Sequence, residues 1–221
     1  MKNKLSFIFI FLLLFVAACR EVEEPSSFGD EYFPLVSGAY WVYQIDSLVY
    51  DDFSGSQTTV SGQQKIHIVE NSNENTSENR YYAEISYRKD SSSKWKYHRD
   101  IVFSKNEFRA TIMDKNEETM LLLFPIKDRV SWDANQLNTK GEDRYRYIAK
   151  ESWRSELFSS LKNPIFVEQE IDSSLIDADI RWEVYEQNKG LVEKRTISTE
   201  TQFGKTKGFD SHWKLVEYVQ P

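Results

Sequence analysis

The feature that most constrains this chain is an alternation of period two that runs from Tyr32 almost to its end. In Trp41-Val42-Tyr43-Gln44-Ile45, Tyr81-Tyr82-Ala83-Glu84-Ile85 and Arg144-Tyr145-Arg146-Tyr147, apolar residues, mostly aromatic or β-branched, recur at every second position, and Ser, Asn, Asp and Gly bound such runs. Successive side chains of a strand point to opposite faces, so this pattern builds sheets. Strands are expected over 39–50, 57–70, 80–89, 94–104, 107–114, 118–124, 143–150, 164–171, 180–187, 190–203 and 208–219. Most links between them are short, which antiparallel meanders require. Asn71–Asn79, Asp90–Ser93 and Asn135–Asp143 read as loops from their polar composition.

One segment breaks the period. In 151–162, ESWRSELFSSLK, Trp153, Leu157 and Leu161 recur every four positions and Asn163-Pro164 ends the run, because proline disfavours helical geometry in the residue before it. A helix of three turns is too short to persist alone, so it is expected to lay its apolar stripe on the sheet. The fold expected is mainly β: an antiparallel curved sheet or incomplete β-barrel packed on one short helix. A closed β-sandwich is the alternative.

The N-terminus has a different chemistry. Lys2 and Lys4 precede Leu5–Val16, LSFIFIFLLLFV. Residues 5–18 would span only about 21 Å as a helix, short of the roughly 30 Å of a bilayer core, so a removable export signal fits better than a membrane span. The segment ends Val16-Ala17-Ala18-Cys19, which resembles the bacterial lipobox. That resemblance implies a signal peptide over 1–18 and a diacylglyceryl group on the Cys19 thiol. Two or three acyl chains on one cysteine make a lasting anchor.

Residues 19–30 then read as the lipidated cysteine and a flexible tether, and 31–221 as a single domain. Arg20 stands where aspartate would signal inner-membrane retention, so the resemblance implies the outer membrane, with its face left open. Glu21, Glu23 and Glu24 resemble the acidic tags of surface-exposed lipoproteins, and a solvated linker is the plainer reading.

Two corners share a pattern at an offset of 91: Phe33-Pro34-Leu35 with Trp41, and Phe124-Pro125-Ile126 with Trp132. A duplication of about 33–123 onto 124–214 is one reading, and a local turn used twice is the other. Tyr32-Phe33-Pro34-Leu35-x-x-Gly38-x-x-Trp41-x-Tyr43, following a lipobox and tether, resembles the start of a broad group of uncharacterised bacterial envelope lipoproteins. Trp132-Asp133-x-Asn135 and Lys189-Gly190-Leu191-Val192-Glu193-Lys194 resemble further landmarks of that group. Arg129 stands where the second corner would want glycine. The resemblance implies a fold and a compartment, with no reaction attached.

Composition narrows the function. The formal charge of −7 becomes −9 once residues 1–18 and their two lysines are removed, which disfavours a grip on nucleic-acid phosphates. Strand parity places His67, His98 and His212 away from the apolar face, and no two have metal-ligand spacing, so no metal and no cofactor is expected. Nucleophile elbows and phosphate-cradling glycine loops are absent, and no catalytic residue is assigned. Asp46 and Glu183, a carboxylate pair that could be picked from the 35 acids, read as solvated strand-edge charges. Asp51-Asp52 and Asp172–Asp179 read as acidic turns without a calcium-loop pattern.

The aromatics remain. Of 32, 28 lie beyond the signal peptide, and Trp41/Tyr43, Trp95/Tyr97 and Tyr145/Tyr147 fall two apart, sharing a sheet face. Trp41, Tyr43, Trp95 and Tyr97 are the candidate ligand-contacting residues; the same side chains could instead form the core. Three functions are open: a non-catalytic binding module for an apolar or glycan ligand, an interaction or scaffold subunit of an envelope complex, or a hydrolase. The expected partners are the membrane through the Cys19 lipid, and either such a ligand or an envelope protein.

Overall fold

Tight turns convert the alternation into a meander. At two hairpins both central residues are left-handed: Lys115 and Asn116 (φ 53° and 64°), and Phe203 and Gly204 (φ 50° and 76°). Such pairs match the twist of the strands they join. The computed structural model describes residues 28–72, 78–149 and 160–221. Its strands are β1 (Tyr40–Asp51), β2 (Ser56–Ser72), β3 (Asn79–Arg88), β4 (Lys96–Lys105), β5 (Arg109–Asp114) and β6 (Glu117–Leu123). They continue as β7 (Ser131–Asp133), β8 (Arg144–Ile148), β9 (Ile165–Ser173), β10 (Asp177–Glu186), β11 (Gly190–Gln202) and β12 (Lys205–Val219). Each of the eleven expected strands is present within a few residues; the three-residue β7 is additional. The helix expected over 151–162 lies, for residues 151–159, outside the described residues, as do Cys19 and the tether up to residue 27.

All twelve strands belong to one sheet, in the order β6-β5-β4-β3-β2-β1-β12-β11-β10-β9-β8-β7. The chain starts at the centre, walks out to β6, crosses to the far edge at β7 and returns to pair β12 with β1. One curved sheet, rather than two stacked ones, rules out the sandwich. Six register shifts, at Val216, Val192, Gln169, Val69, His98 and Leu121, each leave one residue unpaired and bend the sheet toward closure.

The edges meet at β6 and β7 without a ladder. Met120 N–H donates to Ala134 O (2.9 Å), the Trp132 indole N–H donates to Met120 O (3.2 Å), and Asn138 Nδ2 donates to Glu118 O (2.8 Å). The Tyr147 hydroxyl of β8 donates to Leu123 O (2.8 Å) and accepts from Leu123 N–H (3.1 Å). A phenol here does the work of a missing strand partner, and the sheet becomes a nearly closed barrel.

An eight-stranded barrel is just wide enough for its side chains to fill, and a twelve-stranded one encloses more space. One mouth is crossed by residues 28–38, here called the strap. Its short 3-10 turn at Asp30–Tyr32 presents Glu31 O to Asn188 N–H (2.9 Å), and Lys105 Nζ donates to Phe33 O (3.1 Å). Phe33 packs edge-on against Phe103, ring centres 5.4 Å apart. The strap thus spans from the end of β4 to the β10–β11 turn and closes the barrel like a floor.

Candidate functional site

Above that floor lies a cavity of about 580 Å³. Phe33, Pro34 and Leu35 of the strap form its base. One wall is aliphatic, with Ile66, Ile85, Ile101, Ile112 and Leu121 from β2 to β6; the other is aromatic, with Trp41, Tyr43, Tyr145, Tyr185 and Trp213. The volume and the mixture of apolar walls with a few polar groups are those of small-molecule sites. The walls differ in height: β1, β2, β11 and β12 have 12, 17, 13 and 15 residues, while β5, β6, β7 and β8 have 6, 7, 3 and 5. At the low wall the β5–β6 turn supplies the rim, where Asp114, Lys115 and Glu117 line the cavity and the last two are exposed.

A buried polar cluster of the cavity lies on β10 and β11. Glu183, 3% exposed, accepts from Lys194 Nζ (2.8 Å) and from the Tyr185 hydroxyl (2.6 Å), and Gln169 also bonds it. Burial pushes the Glu183 carboxyl up, but the Lys194 charge and these donors outweigh it and hold the group below the usual glutamate range. Burial, reinforced by the Glu183 charge, raises the Tyr43, Tyr145 and Tyr185 phenols above the usual tyrosine range. The Tyr43 hydroxyl donates to Leu191 O (3.0 Å), and the Trp41 indole N–H to Lys189 O (2.6 Å), which fixes both rings against the cavity.

Glu183 is therefore not the solvated strand-edge charge expected from sequence. Folding the β10–β11 hairpin back symmetrically about its turn would set Glu183 opposite Glu193, a like-charge pair. The bulge at Val192 advances the register by one, so that Glu183 faces Lys194 instead. The alternation shows where side chains point but not where a residue is skipped. Asp46, the other carboxylate of that pair, is on the outside with Ser61 donating to it (2.7 Å).

Of the four aromatics singled out in the sequence, Trp41 and Tyr43 line the cavity and Trp95 and Tyr97 do not. Trp95 lies on the outer surface under the Arg88 guanidinium (4.1 Å from the ring centre) and the Lys65 ammonium (5.2 Å). Tyr97 is 60% exposed and pairs with Ser86 across the β3–β4 ladder. The cause is again a bulge: His98 is skipped between Tyr97 and Arg99, so parity within β4 breaks, and Arg99, Ile101 and Phe103 turn inward.

The remaining polar features are structural. His212 Nε2 meets Glu193 Oε1 at 2.5 Å on the outer face, and Tyr40 and Tyr87 pack edge-on against His67 and His98. Asp51 caps the β1–β2 turn by accepting from Phe53 N–H (2.9 Å) and the Ser54 hydroxyl (2.8 Å), and these bonds lower its carboxyl pKa. Among the described residues no group of three His, Cys, Asp or Glu side chains converges to hold a metal.

Among known proteins, no family model and no curated protein matches the chain. A solved structure does. It is the crystal structure of a "putative lipoprotein" from Parabacteroides distasonis ATCC 8503, 12% identical, aligned over 89% of this chain and 100% of that one with a TM-score of 0.42. Likeness at that level carries nothing about a ligand, so the functional reading rests on the cavity itself.

Proposed function

We propose that this protein is a lipid-anchored, non-catalytic binding module of the bacterial cell envelope that holds an apolar small molecule in its barrel. The cavity of about 580 Å³ carries the binding reading: apolar side chains face it from both walls, and the strap seals its base. The lipobox-like Val16-Ala17-Ala18-Cys19 supports the anchor. Residue 28 stands nine positions after Cys19, at the strapped mouth, so an anchored barrel turns that end toward the membrane and offers its low wall to solvent.

The arrangement does not favour hydrolysis. Glu183 has its two oxygens occupied by Lys194 and Tyr185, and a carboxylate held below its usual pKa is a poor general acid. An outer-membrane location and a scaffold role remain further readings of the same anchor.

Two experiments test the reading. Cys19→Ala should abolish incorporation of labelled fatty acid and release the chain from membranes; unchanged labelling would contradict the anchor. Unfolding the purified protein should release an apolar small molecule, and Leu121→Trp, which narrows the cavity, should release much less; equal release from both would contradict the cavity as the site.

A further inference from the structure

The polar groups of the cavity specify more than its apolar walls do. It is lined by three cationic side chains (Arg99, Lys115 and Lys194) and three carboxylates (Asp114, Glu117 and Glu183). Arg99 forks onto Asp114, with Nε–Oδ1 at 2.9 Å and Nη2–Oδ2 at 2.6 Å, and Glu183 is held by Lys194 at 2.8 Å. Glu117 pairs with Lys140 at 2.5 Å, and Lys115 sits exposed on the rim, next in the chain to Asp114 and two residues before Glu117. The interior charges are thus matched before any ligand arrives. An ion entering the interior would give up its water for a place in which Arg99, Asp114, Glu183 and Lys194 already pair with one another, and that costs free energy.

One buried polar atom of the cavity lining is left over. Gln64, on β2, lines the cavity and is 3% exposed, yet among the described residues its side-chain Oε1 has no hydrogen-bond partner. Its Cα neighbours across the ladders are Tyr43 and Tyr87, both of which also line the cavity, so the amide stands in an aromatic row partway up the wall. A buried amide oxygen without a partner is costly, because it loses water and gains nothing. A ligand that brings an O–H or N–H to this point removes that cost.

We propose that the cavity takes a neutral, largely apolar molecule carrying a hydroxyl or amide N–H donor, and that Gln64 receives that donor; this rests on the binding-module reading above. Fatty-acid-like anions are excluded by the matched charges, and pure hydrocarbons leave Gln64 unsatisfied. Gln64 is the residue that selects among apolar ligands.

Three photoreactive probes of nearly equal shape separate these cases: 4-(hydroxymethyl)benzophenone, neutral with a donor; 4-methylbenzophenone, neutral without one; and 4-benzoylbenzoate, an anion. The full chain in phosphatidylcholine nanodiscs is titrated with each, and photolabelled peptides are quantified. The hydroxymethyl probe should half-saturate cavity labelling at a concentration about fivefold below the methyl probe, the advantage expected of one added hydrogen bond. It should do so more than tenfold below the carboxylate. In Gln64→Leu the fivefold advantage should vanish while the methyl probe still labels, and an unchanged melting temperature, or a change in it, reports separately on folding.

Benzoylbenzoate labelling the cavity as well as the alcohol does would overturn the charge argument. An undiminished alcohol advantage in Gln64→Leu would overturn the role of Gln64. No labelling of cavity peptides by any probe would overturn the binding-module reading and this inference together. The comparison of the three probes on the native chain stands even if the variant fails to fold.

Discussion

The tall wall and the low wall of this barrel begin with the same corner. At Phe33-Pro34-Leu35 the chain turns through Gly38 (φ 86°), whose N–H donates to Ile68 O (2.8 Å), while Ala39 N–H donates to Val36 O (3.0 Å) and Ile68 N–H to Ala39 O (2.9 Å). At Phe124-Pro125-Ile126 it turns through Arg129 (φ 64°), whose N–H donates to Tyr147 O (3.0 Å), while Val130 N–H donates to Lys127 O (3.3 Å) and Tyr147 N–H to Val130 O (3.0 Å). The corner residues Val36, Gly38 and Ala39 match Lys127, Arg129 and Val130 at the offset of 91 read from the sequence, while the strand residues they bond, Ile68 and Tyr147, do not keep that offset. Both phenylalanines are buried, and Trp41 and Trp132 each donate their indole N–H to a backbone carbonyl.

Beyond the corners the two walls diverge. After Trp41 the alternation runs on, and β1 pairs along its length with β2 and β12. After Trp132, Asp133 accepts from Asn135 N–H and Asp143 N–H, both at 2.9 Å, and the strand stops after three residues. A corner is set by local chemistry; the length of the strand it launches is set by the next few residues. The short β7 leaves the seam without a ladder and lowers the wall, and the low wall is what gives the cavity a rim.

The largest expected contrast between the walls is electrostatic. Lys194→Met strands the buried Glu183 carboxylate and should lower unfolding free energy by about 3–5 kcal/mol, as measured by urea denaturation. Arg99→Met, on the low wall, breaks a pair whose members are 29% and 30% exposed, and should cost only about 0–1 kcal/mol. Equal costs would erase the distinction between a sealed and an open side.

The pH dependence sharpens the same contrast. Because the folded-state pKa of Glu183 is lowered, its stabilisation is fully present above the unfolded glutamate value of about 4.3 and is lost as pH falls through the lower folded value. The urea midpoint of the native chain should therefore drop more steeply below about pH 4 than that of Glu183→Gln. Parallel curves for the two would contradict the assignment.

At the seam, Tyr147→Phe removes both hydrogen bonds to Leu123 and leaves a part-buried N–H and C=O without that partner, which should cost about 1–3 kcal/mol and speed amide exchange at Leu123. The smallest effect compares the corners. Gly38→Ala puts a side chain on a left-handed residue with Pro221 Cγ 2.9 Å from the new Cβ, and should cost about 1–2 kcal/mol. Arg129→Gly relaxes the matching residue and should change stability by less than about 1 kcal/mol. A cost for Arg129→Gly as large as that for Gly38→Ala would break the equivalence of the two corners.

Most of the fold was legible in the alternation, because period two and turn composition report directly on which stretches lie in strands. Half of the candidate aromatic set was legible too: Trp41 and Tyr43 fall on the cavity side. What failed was the bookkeeping across bulges. A skipped residue at His98 moved Trp95 and Tyr97 outside, and one at Val192 turned a charge expected to be solvated, Glu183, into the centre of a buried polar cluster. Bulges carry no strong composition signal, since the unpaired residues here include valine, glutamine, histidine and leucine. Gln64 is a different case: parity sets it on the face of Ile66 and Ile68, but only the folded barrel shows that its amide oxygen is buried there without a partner among the described residues.

Locating the photolabel tests the central claim most directly. After irradiation of the full chain with 4-(hydroxymethyl)benzophenone in nanodiscs and proteolysis, labelled peptides should carry Trp41–Tyr43 and Tyr185–Leu191, and labelling there should saturate. Saturable labelling confined to the outer-face peptide with Trp95 and Tyr97, with the barrel interior unlabelled, would contradict the claim that this molecule binds its ligand inside the barrel.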